Sequence, residues 1–210
     1  MPTNYYNDNI QELKQQYSSV PFDAVHAGWS RHLEALWNKD VVRILDVGAG
    51  VGRDIKHLAI AAQSKGIDYY CVAVEPAIEM LKVGQSSTLG LNIDWIQDEL
   101  PSLRHTPEQS TKFDLILLSA VWMHVQPEQQ ALALKKLLSL LADDGVLILT
   151  IKLGMGAQEL YARAMFEINI DDLIAKADKL GAIAMLETDL VADKLGRRNI
   201  YWQTLSIKKK

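Results

Sequence analysis

Cysteine is nearly absent from this chain. The single one, Cys71, cannot form an internal disulfide and lies in an apolar run, where a buried thiol is expected rather than a reactive one. No apolar run reaches the roughly 18–20 residues that a bilayer span needs, so no membrane segment is expected. The first residues, MPTNYYNDNIQELKQQY, have no apolar core, which argues against a secretory leader. A strong charge of one sign is missing too: 22 Lys and Arg stand against 26 Asp and Glu, a net charge of -4. Modules that bind duplexes are usually strongly basic, so this balance argues against a nucleic-acid partner. There is no internal repeat and no low-complexity tract beyond the basic end Lys208-Lys209-Lys210. These absences together lead to the expectation of a cytoplasmic, reducing setting.

What is present suits one globular domain. The chain has 210 residues, 49% hydrophobic and 23% charged, enough for a sizeable core. Residues 4–17 carry Ile10, Leu13 and Tyr17 at helical spacing, and residues 22–37 place Phe22, Val25, Trp29, Leu33 and Leu36 on one face. The rhythm then changes. Short apolar runs at 41–47, 69–74, 93–97, 113–118 and 146–152 read as strands, and helical patterns separate most of them. That alternation predicts right-handed βαβ units and a parallel sheet covered on both faces. After a helix at 171–180, the runs 182–188 and 199–207 are joined without a helix, which predicts an antiparallel hairpin.

The chemistry concentrates at the ends of the strands. Asp46-Val47-Gly48-Ala49-Gly50-Val51-Gly52 joins a strand to a helix, where glycines allow a tight turn and a ligand can reach the main chain. Glu75 ends the second strand, placed to accept both hydroxyls of a ribose. Asp98 follows the third, where it or its neighbour Glu99 can meet an adenine amino group. Asp54 reads as a first-turn helix acid rather than a ligand. A nicotinamide-dependent oxidoreductase is the rival reading. Its dinucleotide pattern wants glycine three residues after the second glycine, and Arg53 stands there.

Taken together, the glycine loop with Ile44-Leu45-Asp46, Val74-Glu75-Pro76 with Met80-Leu81, Gln97-Asp98, Phe113-Asp114-Leu115-Ile116 and Asp143-Asp144-Gly145-Val146-Leu147 resemble the class I S-adenosylmethionine-dependent methyltransferases. The likeness spans about residues 41–152, and the terminal hairpin extends it. It implies a Rossmann-like, doubly wound α/β fold with a seven-stranded sheet in the order 3-2-1-4-5-7-6, its last strand antiparallel. It also implies a methyltransferase domain at 41–210 beneath an N-terminal helical lid at 1–40. S-adenosylmethionine is then the expected cofactor, held by Asp46, Gly48, Ala49, Gly50, Gly52, Glu75, Pro76, Asp98 and Glu99 over a floor at Ser119 and Ala120. Tyr5, Tyr6 and Tyr17 are candidates for lid contacts, and Arg31 for the cofactor carboxylate.

Methyl transfer from a sulfonium needs alignment in a dry pocket more than it needs a catalytic residue. A base matters only where the acceptor must lose a proton, and His124 and His26 are the candidates, each with a structural role as the alternative. The run Ser119-Ala120-Val121-Trp122-Met123-His124-Val125 lacks the prolines typical of enzymes that methylate nucleobase amines, and its ending resembles small-molecule methyltransferases. The expected partner is therefore a small-molecule substrate. Trp122, Tyr161, Arg163 and Phe166 are candidates to touch it; the mix of apolar side chains and arginine at 153–170 suits an aromatic or acidic metabolite, with plain core packing as the equal alternative. No metal cluster is expected. An RNA or protein methyltransferase and a non-catalytic cofactor-binding module of the same fold stay open as alternatives. A steep salt dependence of RNA binding marks the first, and tight cofactor binding without turnover marks the second.

Overall fold

The computed structural model describes residues 3–106 and 112–210. Among them, eight strands form one sheet in the order β3-β2-β1-β4-β5-β8-β6, with the short β7 paired to β8. The strands are β1 (Val41–Val47), β2 (Asp68–Val74), β3 (Ile93–Ile96), β4 (Phe113–Ser119), β5 (Leu141–Leu153), β6 (Ala182–Leu186), β7 (Val191–Ala192) and β8 (Tyr201–Lys209). β1 to β5 pair in parallel, and β8 runs antiparallel between β5 and β6. Without β7, a two-residue strand that no sequence signal announces, this is the expected seven-strand order.

Alternation along each central strand serves two cores. On β1 and β4, Val42, Ile44, Leu115 and Leu117 face one cluster, while Leu45, Val47, Ile116 and Leu118 face the other. A strand buried on both faces therefore reads as an unbroken apolar run. Helix α5 (Arg53–Ser64) supplies Ile55, Leu58 and Ala59 to the first cluster. Helices α7 (Gln130–Leu140) and α9 (Ile170–Lys179) cover the second. Cys71 is buried in β2, and burial pushes its thiol up to about 12. Residues 142–145 fall at an irregularity in the β4–β5 register, so β5 begins earlier than the run at 146 suggests.

The N-terminal segment departs from two simple helices. The first breaks at Asn9 into α1 (Thr3–Asp8) and α2 (Ile10–Ser18), with Asn9 Nδ2 donating to the Tyr5 carbonyl. The second breaks at residues 27–30 into α3 (Phe22–His26) and α4 (Arg31–Leu36). At that break Gly28 lies so close to Thr188 that a Cβ would stand 2.2 Å from its Cγ2. The two halves behave differently. Phe22, Trp29 and Leu36 are part of the core beside α5, whereas α1 and α2 pack on α6 (Ile78–Ser87) and the glycine loop through Leu13, Val51, Ala77 and Met80. Asn7 Oδ1 accepts from the Glu79 amide, which satisfies a free N–H in the first turn of α6. No helix among the described residues is long and apolar enough to cross a membrane.

Candidate active site

A cavity of about 460 Å³ lies over the carboxyl ends of the strands, where open α/β sheets bind ligands. One end is built by the glycine loop. Gly48, Gly50 and Gly52 all have positive φ, at 74°, 57° and 84°. A Cβ on Gly48 would stand 2.4 Å from Val121 Cγ2, so that glycine is required by packing as well as by conformation. Beside Gly50 there is open space, which leaves the backbone bare to the cavity.

Glu75 stands at the end of β2 and is 7% exposed. Its carboxylate accepts from the Gly50 amide and from the Ala77 amide, each at 2.8 Å. Burial pushes its pKa up to about 7, and those two amides oppose the shift. Asp46 is also buried on the wall. Burial, and next the charge of Asp54, hold its carboxyl well above the ordinary value.

Asp54 in the first turn of α5 is both a helix acid and a buried wall residue. Arg53 grips it through Nε and Nη2, at 2.6 and 2.8 Å, and His26 Nε2 faces its Oδ2 at 3.0 Å. Burial works to raise the Asp54 carboxyl, but His26 and Arg53 outweigh it and hold the group below its ordinary value. Trp29 Nε1 donates to His26 Nδ1 at 2.8 Å. An indole N–H can only donate, so Nδ1 accepts and the His26 proton sits on Nε2. His26 is fully buried and off the cavity wall.

The roof comes from α1 and α2. Tyr6 Oη lies 2.8 Å from His124 Nε2, and Arg163 Nη2 donates to Tyr6 Oη and Tyr17 Oη at 3.0 and 3.2 Å. The Arg163 guanidinium also sits 5.3 Å from the ring centres of Tyr5 and Tyr6. Burial, then the Arg163 charge, push the His124 imidazole down to about 4, so it is neutral near pH 7. Ala120, at φ 60°, donates its amide to Thr150 Oγ1 at 3.0 Å and forms the floor with Ser119.

The cavity brings together most of the residues singled out from sequence: Asp46, Gly48, Ala49, Gly50, Glu75, Pro76, Ser119, Ala120, His124, Tyr6 and Arg163. Others lie elsewhere. Gly52 caps α5 against Trp95. Asp98 is turned into its own loop, accepting from the amides of Glu99, His105 and Thr106 and from the Thr106 hydroxyl, and it is off the wall together with the exposed Glu99. Arg31 pairs with Glu187 at 2.6 Å, away from the cavity. Trp122 is fully buried in the core, Tyr161 is 92% exposed, and Phe166 is off the wall, its amide donating to the Met123 carbonyl.

Sequence reasoning missed Thr150 and Lys152 on β5, and Asp193, Arg197 and Trp202 beyond it, all on the wall. Lys152 is 2% exposed and ion-paired to Glu159, and burial lowers its ammonium against that pairing. A signal was there: a lysine at the period-two face of Ile148 and Thr150, inside a run with no other charged residue. Among the described residues, no group of His, Cys, Asp and Glu is placed to hold a metal ion.

A methyltransferase-domain family model matches residues 44–145. No curated protein is a significant match to the chain. Solved structures resemble it in fold. Magnesium protoporphyrin IX methyltransferase from Synechocystis PCC 6803, with bound SAH, is 14% identical, with a TM-score of 0.66 over 99% of this chain and 98% of that one. A TehB-like SAM-dependent methyltransferase from Corynebacterium glutamicum is 17% identical, with a TM-score of 0.63 over 100% of both chains. A Haemonchus contortus phosphoethanolamine N-methyltransferase, in complex with phosphomonomethylethanolamine and S-adenosylhomocysteine, is 14% identical, with a TM-score of 0.64 over 86% of this chain and 52% of that one.

Proposed function

We propose that this chain is a class I S-adenosylmethionine-dependent methyltransferase that passes the methyl group of S-adenosylmethionine to a small-molecule acceptor, a reading supported by the methyltransferase-domain match over residues 44–145 and by the fold of its structural neighbours. The observation that carries the reading is the Glu75 carboxylate, buried at the end of β2 and accepting the amide of Gly50, whose missing side chain leaves open space in the same cavity wall. That pairing of an acid with a glycine loop fits a ribose and a chain that must approach the main chain closely. Glu75 would hold the ribose, and the loop from Gly48 to Gly50 would lie along the methionine half. S-adenosylmethionine brings a methyl carbon on a positively charged sulfur, a leaving group that departs as a neutral thioether.

The protein's own residues then have three tasks. Ser119 and Ala120 floor the site, the tyrosines of α1 and α2 roof it, and together they keep water from the reacting atoms. The roof is the half of the N-terminal segment that we assign as a lid; α3 and α4 are part of the core. His124 positions rather than reacts. Its Nε2 is engaged by Tyr6, whose hydroxyl in turn accepts from Arg163. Two of the structural neighbours, a magnesium protoporphyrin IX methyltransferase and a phosphoethanolamine N-methyltransferase, support a small acceptor.

A labelled-methyl assay on fractionated cell extract tests this reading. Label is expected in the small-molecule fraction, and His124→Ala should lower turnover less than about tenfold. A loss of about 10²–10⁴ with unchanged cofactor affinity would make His124 the base instead. Label in the protein or RNA fraction would move the acceptor to a macromolecule.

A further inference from the structure

We infer that the acceptor carries an oxyanion, a carboxylate or a phosphate, seated between Lys152 and Arg163; this rests on the methyltransferase reading above and names the substrate class of the same site. Charge count and donor count both lead there. Lys152 Nζ and Arg163 Nη1 contact the same carboxylate oxygen, Glu159 Oε1, the second at 3.4 Å. The Lys152 side chain is 2% exposed and that of Arg163 12%. Two buried cations thus share one carboxylate, and one positive charge is left over.

The neighbouring ion pair does not supply the missing anion. Asp193 is spent on Arg197 Nε and Nη2, on the Trp202 indole and on the amides of Leu195 and Arg197. Nor are the donors satisfied. An ammonium has three N–H groups, and Lys152 gives one to Glu159. Arg163 Nε is buried with no hydrogen-bond partner among the described residues. An oxyanion against the Lys152 ammonium supplies the acceptors that group still needs and the missing negative charge.

Position assigns this pocket to the acceptor rather than to the ribose. Lys152 sits on β5, opposite Trp202 of β8 and on the same strand face as Thr150. Between β5 and the strand that ends at Glu75 stand β4 and β1. At roughly 4.8 Å per strand, the two sites are about 14 Å apart across the sheet. The floor residues Ser119 and Ala120, at the end of β4, lie between them. Met123, Met165 and Trp202 line the same end, so the body that carries the oxyanion meets an apolar wall.

The test uses the full chain saturated with S-adenosylhomocysteine in low-chloride buffer, titrated in a calorimeter with inorganic phosphate and, separately, with acetate. One of the two anions is expected to bind in the millimolar range, and which one does so tells phosphate from carboxylate. Lys152→Met should weaken that binding about tenfold or more, and Glu159→Gln, which removes the competing carboxylate, should tighten it severalfold. Lys152→Arg should keep it and carries the comparison if Lys152→Met does not fold. The exposed Lys135→Met should change nothing. S-adenosylhomocysteine affinity should be the same in every variant. Full cofactor binding with no heat from either anion overturns the inference and leaves the methyltransferase reading intact. A loss of S-adenosylhomocysteine affinity in Lys152→Met also overturns it, since the anion is then the cofactor's own carboxylate. No S-adenosylhomocysteine binding by the folded wild type overturns both.

Discussion

Glu75→Ala is expected to weaken S-adenosylhomocysteine binding about 30- to 150-fold, a change of ~2–3 kcal/mol, while the domain still folds. Two losses combine. The ribose hydroxyls lose a charged acceptor, and the Gly50 and Ala77 amides lose the carboxylate that holds the loop and the start of α6 in place. Proton linkage gives an independent check. The Glu75 pKa is raised from 4.5 to about 7, so the folded protein keeps a proton there that the unfolded chain has already lost. This group therefore costs stability as pH rises from about 4.5 through about 7, by an amount on the order of a few kcal/mol. Over the same rise the carboxylate becomes a better acceptor, so wild-type cofactor affinity should increase between pH 6 and 8. Glu75→Gln should bind at an intermediate level and lose that dependence. Calorimetry at a series of pH values measures both; an unchanged dissociation constant in Glu75→Ala would mean that another group holds the ribose.

The second large effect concerns stability. His26→Ala should lower the free energy of unfolding by about 2–4 kcal/mol. The ring is 0% exposed, packs 4.5 Å from Phe22 between ring centres, and accepts the indole proton of the equally buried Trp29. Truncation leaves that N–H without an acceptor and strips Asp54 of one of its two neighbours, while Arg53 keeps the other contact. Because His26 is off the cavity wall, the variant should still bind S-adenosylhomocysteine within a few-fold of wild type at low temperature. Denaturant titration and calorimetry on one preparation decide the point. Full stability with lost turnover would restore His26 as a catalytic group.

These two residues show what the sequence makes legible. Glu75 and the glycine loop are readable because their role follows from position: an acid at a strand end, and glycines between a strand and a helix, face the crevice whatever the rest of the chain does. The antiparallel sense of the last strands is readable because no helix joins them, whereas the order that sets β8 between β5 and β6 comes from the family resemblance and not from spacing. Side-chain direction is not readable in this way. Asp98 ends β3 as expected, but donors from its own loop at Glu99, His105 and Thr106 surround its carboxylate first. Trp122 stands one residue from the wall, and the 3-10 turn at Trp122–His124 sends it into the core instead. Arg31 meets Glu187, a partner that no local pattern announces. The roof depends on contacts across 118 and 157 residues of chain, from Tyr6 to His124 and to Arg163, which spacing along the sequence cannot reveal. Lys152 was visible as an oddity in an apolar strand, but its meaning needed Glu159 and Arg163 beside it.

The central claim, that the strand-end cavity is an S-adenosylmethionine site, is tested most directly by titrating the wild-type chain with S-adenosylmethionine and S-adenosylhomocysteine in a calorimeter, with NAD as the competing ligand. One site per chain with micromolar affinity for both sulfur compounds is expected, with no measurable heat from NAD. A cooperatively folded protein that gives no heat with either sulfur compound, or that binds NAD tightly instead, would contradict it.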